Sequence, residues 1–258
     1  MNTSDPEKAQ GHWLLAKMGK RVLRPGGREL SEKMMDALEI SSSDNLVEFA
    51  PGIGKTASYL ISKKPKTYTG IDADQDVVSR LTGRLGNDHT KFILSNAAET
   101  GLEDNSADKL VGEAMLTMHA DHRKSEIVKE AHRILKKGGL YAIHELGLTP
   151  DSIPEENKAE ISKKLALSIK VNARPLTQKE WENILTAEGF KIKEVFTSPM
   201  LLLERKRVVE DEGLLRSLKI GFNILTHPDA KKRILDMRSV FRKYQNNMNA
   251  VAIIAEKI

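Results

Sequence analysis

The run Val47-Glu48-Phe49-Ala50-Pro51-Gly52-Ile53-Gly54-Lys55-Thr56 puts a carboxylate, two glycines and the start of an amphipathic stretch side by side. Glycines at such a turn let the backbone approach a ligand closely, and the helix they open offers unpaired N–H groups. The chemistry this allows is the binding of a polar, nucleotide-like molecule. A phosphate cradle of the G-x-x-x-x-G-K-T type is excluded, because the position of its first glycine is Phe49. A dinucleotide fingerprint is formally met by Gly52-x-Gly54-x-x-Ala57, with Asp72 at the distance of a ribose-binding acid. A short-chain nicotinamide oxidoreductase would also need a Tyr-x-x-x-Lys pair well downstream. The pair present, Tyr59-x-x-x-Lys63, sits directly after the loop, where it cannot play that part.

A third reading uses more of the chain. Glu48-x-Ala50-x-Gly52-x-Gly54 resembles the first motif of class I S-adenosylmethionine-dependent methyltransferases, in which an acid precedes the glycines on one strand. Gly70-Ile71-Asp72-Ala73-Asp74 is similar to that family's ribose-binding strand end. Asp104-Asn105-Ser106-Ala107-Asp108 matches its D-N-S-F-D run with Ala107 for Phe. Leu135-Lys136-Lys137-Gly138-Gly139-Leu140 matches its L-K-P-G-G turn with Lys137 for Pro. These motifs fall in the family's order between residues 45 and 147.

The resemblance implies S-adenosyl-L-methionine as cofactor and assigns roles residue by residue. Ala50, Gly52 and Gly54 would admit the methionine portion, and Glu48 would supply negative charge near its amino end. Asp72, beside Ala73, would accept both ribose hydroxyls, since a carboxylate has two acceptor oxygens. Asn96, standing where the family usually has an acid, would accept from the adenine amine, with the Ala97 N–H as its companion. Glu113, ending the fourth strand, completes the implied cofactor set.

The acceptor side is less explicit. Methyl transfer is an in-line displacement, so an enzyme chiefly aligns the nucleophile and excludes water. A base is needed only where the nucleophile carries a proton. Gly112-Glu113-Ala114-Met115-Leu116-Thr117-Met118-His119 lacks the N/D-P-P-Y/F grip of nucleic-acid amino-methyltransferases, which argues against nucleic acid as substrate. It is more similar to the small-molecule branch, such as the ubiquinone/menaquinone methyltransferases, with Met115, Leu116 and Met118 forming an apolar, adaptable chamber. His119 is the candidate catalytic base, because an imidazole titrates near neutrality. His144 or Glu145, ending the fifth strand on opposite faces, would offer one further polar contact. No spacing of metal ligands is visible, so no metal is expected.

Stepping outward, the elements that must hold these residues alternate. Strands are expected at Leu46–Ala50, Thr67–Ile71, Phe92–Leu94, from Lys109 and at Leu140–Glu145. Helices fall at Lys55–Ser62, Gln75–Leu85 and 123–136, the last stopped by Lys137-Gly138-Gly139. This predicts an α/β chain with a Rossmann-like, doubly wound sheet, mostly parallel with a late antiparallel strand. Residues 1–44 are expected as an N-terminal helical lid, helical over 7–40 apart from Arg24-Pro25-Gly26-Gly27, with Arg24 free to meet an anion. Residues 45–258 form the methyltransferase domain, with helices at 155–169 and 177–188 and strands at 191–204 and 249–257. Before the last strand comes a helical insertion at about 205–245. Its stripes Leu214, Leu218, Phe222, Leu225 and Ile234, Met237, Phe241, Tyr244 read as two amphipathic helices with Pro228 between them.

The chain has 258 residues, 40% of them hydrophobic, and no cysteine, which excludes disulfides, thiolate metal sites and cysteine nucleophiles. The start MNTSDPEKAQ lacks a signal peptide's apolar stretch, and no apolar run reaches membrane-spanning length. A cytoplasmic enzyme is the expectation. The net charge of +5 is uneven: residues 46–150 carry 14 basic and 14 acidic side chains, whereas 205–243 carry 11 and 5. A non-catalytic module binding cofactor or RNA through this basic hairpin is the rival of another class. The partner expected on the motifs is a small-molecule acceptor.

Overall fold

The computed structural model describes residues 9–258. Residues 1–8, which hold most of the polar start and the first positions of the 7–40 helical stretch, lie outside them. The strands are Asn45–Phe49 (β1), Thr67–Asp72 (β2), Thr90–Leu94 (β3), Ala107–Glu113 (β4), Leu135–Leu148 (β5), Leu176–Thr177 (β6), Phe190–Pro199 (β7) and Met248–Lys257 (β8). The helices are Gly11–Lys17 (α1), Gly27–Ala37 (α2), Lys55–Ser62 (α3), Gln75–Leu85 (α4), Asp121–Ile134 (α5), Glu155–Ile169 (α6), Gln178–Ala187 (α7), Arg205–Glu212 (α8), Leu214–Leu225 (α9) and Pro228–Lys243 (α10). Leu116–Met118 adds a 3-10 turn after β4.

The sheet runs β3-β2-β1-β4-β5-β8-β7, with β6 beside the end of β5. β1 to β5 pair in parallel, and β8 runs antiparallel between β5 and β7, as the alternation predicted. Strands covered on both faces read as unbroken apolar runs, and β1 buries Leu46, Val47 and Phe49. On one face Val47, Phe49, Leu110 and Ile143 pack with α5 and α7 through Ile127, Ala131 and Trp181. On the other, Leu46, Tyr68, Val111 and Ala252 meet α2, α3 and α4. There α2 places Leu30, Met34, Met35 and Leu38 on one face, so it is a layer of the sandwich. A third cluster joins α1, α6 and α10 through Leu15, Leu165, Met237 and Phe241.

Several boundaries differ from the sequence reading. α5 ends at Ile134, before the glycines, because Leu135 is already extended and pairs with Ala107. Gly138, at φ 76°, turns the chain within the irregular start of β5. β7 stops at Pro199, and the insertion holds three helices, with Pro228 as the first residue of α10. In α9 the stripe expected to pack inward points out: Leu214, Leu218, Phe222 and Leu225 are exposed, and Ile220 is buried instead. The orientation is fixed by Asn223 Nδ2 donating to the Met18 carbonyl at 2.9 Å and by Arg216 donating to that of Gly19 at 3.4 Å.

Candidate active site

The C-terminal ends of the parallel strands, where such sheets bind ligands, hold a cavity of about 390 Å³. After β1 the chain turns sharply: Ala50 and Gly52 lie at φ 52° and 53°, and the Ala50 N–H donates to the Ile71 carbonyl at 2.7 Å. Gly54, at φ 76°, starts α3, and a side chain there would collide with Arg84 and Leu81. A Cβ at Gly52 would meet only the Ala50 carbonyl, at 3.8 Å, so this glycine leaves space open to the cavity. The loop is tied to β2, since the Gly52 N–H donates to Asp72 Oδ2 at 3.2 Å and the Asp74 N–H to Oδ1 at 3.0 Å. Each carboxylate oxygen retains a lone pair for a ligand. Asp74 caps α4, accepting from the Asp76 N–H at 2.9 Å.

At the glycine-lined end two buried carboxylates border the cavity and are held in opposite states. Burial pushes Glu48 up to about 8, against the bond donated by the Tyr68 hydroxyl. Burial also acts on Glu113, but Arg24 and His144 outweigh it and hold this acid at about 2. Glu113 Oε1 pairs with Arg24 Nε at 3.0 Å and His144 Nδ1 at 2.9 Å and accepts from the Ser31 hydroxyl; Oε2 accepts from the Thr56 hydroxyl. Arg24 Nη1 in turn donates to Thr56 Oγ1 at 2.9 Å. Arg24 borders the cavity and is held there by these two contacts, and His144, turned to Glu113, does not line it. This network joins the segment before α2 to α3, β4 and β5.

The other end of the cavity is apolar, walled by Leu15, Met115, Met118, Leu165, Met237 and Phe241. Glu145 borders it but is committed to structure: its carboxylate accepts from the N–H groups of Met115, Leu116 and Thr117 at 3.0, 2.8 and 2.9 Å, and from the Thr117 hydroxyl at 2.7 Å. It thus caps the 3-10 turn that carries the chamber's methionines.

Of the residues singled out in sequence, Glu48, Ala50, Gly52, Asp72 and Glu113 border the cavity, and Gly54 stands behind them. Ala73, Asn96 and Ala97 do not line it, and the Asn96 side-chain oxygen accepts from the Ala98 N–H at 3.0 Å. His119 does not line it either. That is a correction of position: the 3-10 turn ends at Met118, which faces the chamber, and His119 follows outside it. The imidazole that does border the cavity is His12, brought there by α1 and lowered to about 4 by burial. The motifs missed it because no spacing links α1 to the strand ends. Among the described residues no group of three or more His, Cys, Asp or Glu converges as metal ligands. No helix there is long and apolar enough to cross a membrane.

Residues 47–143 match a family model described as a methyltransferase domain. The chain is 27% identical over 251 residues to a protein of Haemophilus influenzae described as uncharacterized, covering 96% of this chain and 98% of that one. The fold is similar to that of the [4+2]-cyclase SpnF, with a TM-score of 0.70 at 16% identity, covering 95% of this chain and 92% of the other. It is likewise similar to phosphoethanolamine N-methyltransferase 2 of Haemonchus contortus in complex with S-adenosyl-L-methionine, with a TM-score of 0.69 at 17% identity, covering 96% and 56%. The nicotinamide reading leaves the Asp104–Asp108 and Leu135–Leu140 motifs of this matched stretch unexplained. The matched span holds β1 to β5 and the glycine loop, so the chain carries a methyltransferase domain, on a fold shared with a methyltransferase that binds S-adenosyl-L-methionine.

Proposed function

We propose that this enzyme methylates a small or medium-sized, largely apolar organic acceptor. The observation that carries the reading is the division of one cavity into an acidic, glycine-lined end and an apolar end. When bound, the cofactor supplies a methyl group on a positively charged sulfur. Glu48, Ala50, Gly52 and Asp72 hold it in this reading, with Gly54 setting the start of α3. Ala73, Asn96 and Ala97 flank its adenine on the open side, and Glu113 acts through Arg24 and Thr56 as the anchor of the wall. The acidic end suits a cation, and the space in front of Gly52 admits a ligand where a side chain would stand.

The chamber's own residues orient the acceptor and keep water out. His12 is neutral at pH 7 and can accept one hydrogen bond, but a group with a pKa of about 4 abstracts protons poorly. We therefore assign no base role to His119, and the acceptor in this reading is a nucleophile whose proton is readily lost, such as an enol, phenol or thiol. The ubiquinone/menaquinone type of acceptor falls within this class. The cytoplasm is the proposed compartment, since a cysteine-free chain needs no oxidising one.

Of the N-terminal lid, α1 and the stretch from Arg21 to Pro25 border the cavity in this reading, while α2 anchors them. Calorimetry with S-adenosylhomocysteine tests the cofactor end. Asp72→Ala should weaken binding by about 1–3 kcal/mol, the worth of charged hydrogen bonds; an unchanged affinity removes Asp72 from the site. A labelled-methyl assay against acidic enols, phenols and thiols tests the acceptor end, and label on none of them sinks that half.

A further inference from the structure

α9 covers the body of the protein with one side only. At about 100° per residue, Leu214, Leu215, Leu218, Phe222 and Leu225 share an arc of about 100°. All five are 63–85% exposed, while Ile220 on the opposite side is buried. Five large apolar side chains contiguous on one helix form the kind of patch that marks an interaction surface. The residues outside the described range, MNTSDPEK, carry one large apolar side chain, Met1, too few to cover it.

The charge of α9 and of the helices on either side of it in the chain points to the occupant. Lys219 lies beside the arc, four residues after Leu215 and three before Phe222. Arg205, Lys219, Lys231 and Lys232 on α8, α9 and α10 are exposed and engage no partner among the described residues. Residues 205–243 carry 11 basic and 5 acidic side chains, and two of those acids are turned to the body of the protein. Asp211 Oδ1 accepts from the Arg28 N–H at 2.8 Å, and Glu212 Oε1 accepts from the N–H groups of Arg21 and Val22 at 2.7 and 2.8 Å. Both also face Lys20, at 3.7 and 3.9 Å. A second copy of this chain docking here would set like charges against each other. An anionic lipid surface complements both parts, taking the apolar arc at the acyl boundary and the lysines at the phosphates.

We propose that α9 is an interfacial helix that seats this protein on an anionic lipid surface. The inference stands apart from the choice of acceptor, because it uses none of the cavity residues. It has a consequence for the cavity: α9 rests on the backbone of Met18 and Gly19, and its neighbour α8 holds the turn from Lys20 to Arg28. The seated protein would therefore turn the segment bordering the cavity toward lipid.

The test is co-sedimentation with vesicles of phosphatidylcholine alone and of phosphatidylcholine with phosphatidylglycerol, at low and raised salt. The full chain should sediment with the anionic vesicles, less so as salt rises, and stay in solution with the neutral ones. The Leu215→Glu, Leu218→Glu double variant should partition at least about tenfold less, since each leucine buried is worth roughly a factor of ten. Both positions are exposed, so its S-adenosylhomocysteine affinity and melting temperature should match the parent's. No sedimentation of the parent, equal sedimentation with neutral vesicles, or undiminished sedimentation of the double variant overturns the proposal. So does a dimer of the parent in light scattering that the double variant converts to monomer, which would assign the face to a second copy.

Discussion

Glu48 and Glu113 show how neighbouring carboxylates in one site are driven apart. Both are buried, yet burial pushes Glu48 to about 8 and the partners of Glu113 hold it near 2. The difference is a positive charge in contact: Arg24 Nε lies 3.0 Å from Glu113, whereas Glu48 has a neutral phenol. At pH 7 Glu48 is thus mostly protonated. A cationic cofactor beside it would favour the charged form and expel that proton. Calorimetry at pH 7 in buffers of different ionisation enthalpy should show proton release on binding S-adenosylmethionine. Affinity should rise by at most about tenfold per pH unit between pH 6 and 8, one proton being linked. Glu48→Gln should abolish both effects, and their persistence in that variant would place the proton elsewhere. The glycine loop and both acids were legible in the motifs. The commitment of Arg24 to Glu113 was not, because it depends on the fold bringing residues 24 and 113 together.

Among the elements, a three-residue turn controls the acceptor chamber most directly. The 3-10 turn Leu116–Met118 leaves backbone donors at its start, and Glu145, from the adjacent strand, satisfies three of them. One buried unsatisfied donor costs about 1–3 kcal/mol, so Glu145→Ala should destabilise the protein by about 3 kcal/mol in urea unfolding. Where it still folds, the KM for the acceptor should rise while S-adenosylhomocysteine affinity holds. Equal loss of both would show that the turn also supports the cofactor end. Helices read well from sequence wherever one apolar face meets the core: 155–169 was expected and Glu155–Ile169 is found. α9 was legible as a helix but not in its facing. It carries apolar side chains on two sides, and the periodicity alone does not decide which arc meets the body. Its contacts with Met18 and Gly19 do.

Over the whole molecule, the two acids predict the shape of the stability curve against pH. The folded-state pKa of Glu113 is depressed from 4.5 to about 2, so its contribution is complete above pH 4.5 and is lost as pH falls toward 2. By linkage that contribution is roughly 3 kcal/mol. Glu48 has the opposite sign: with its pKa raised to about 8, its contribution is complete below pH 4.5 and lost as pH rises toward 8. Urea midpoints should therefore fall on both sides. The acid arm should flatten in Glu113→Gln, even though that variant is less stable at neutral pH; an unaltered acid arm would exclude this carboxylate as its source. The sequence by itself determined the alternation of strands and helices from β1 to β5, the glycine turn and the resemblance to the methyltransferases. These depend on local periodicity, on backbone freedom at a few glycines, and on motifs carried by neighbouring residues. The tertiary structure alone decided that His12 borders the cavity while His119 does not, that Arg24 pairs with Glu113, and that the leucines of α9 face outward. Each of these is a contact between residues far apart in the chain, set by how whole layers pack rather than by any spacing along it.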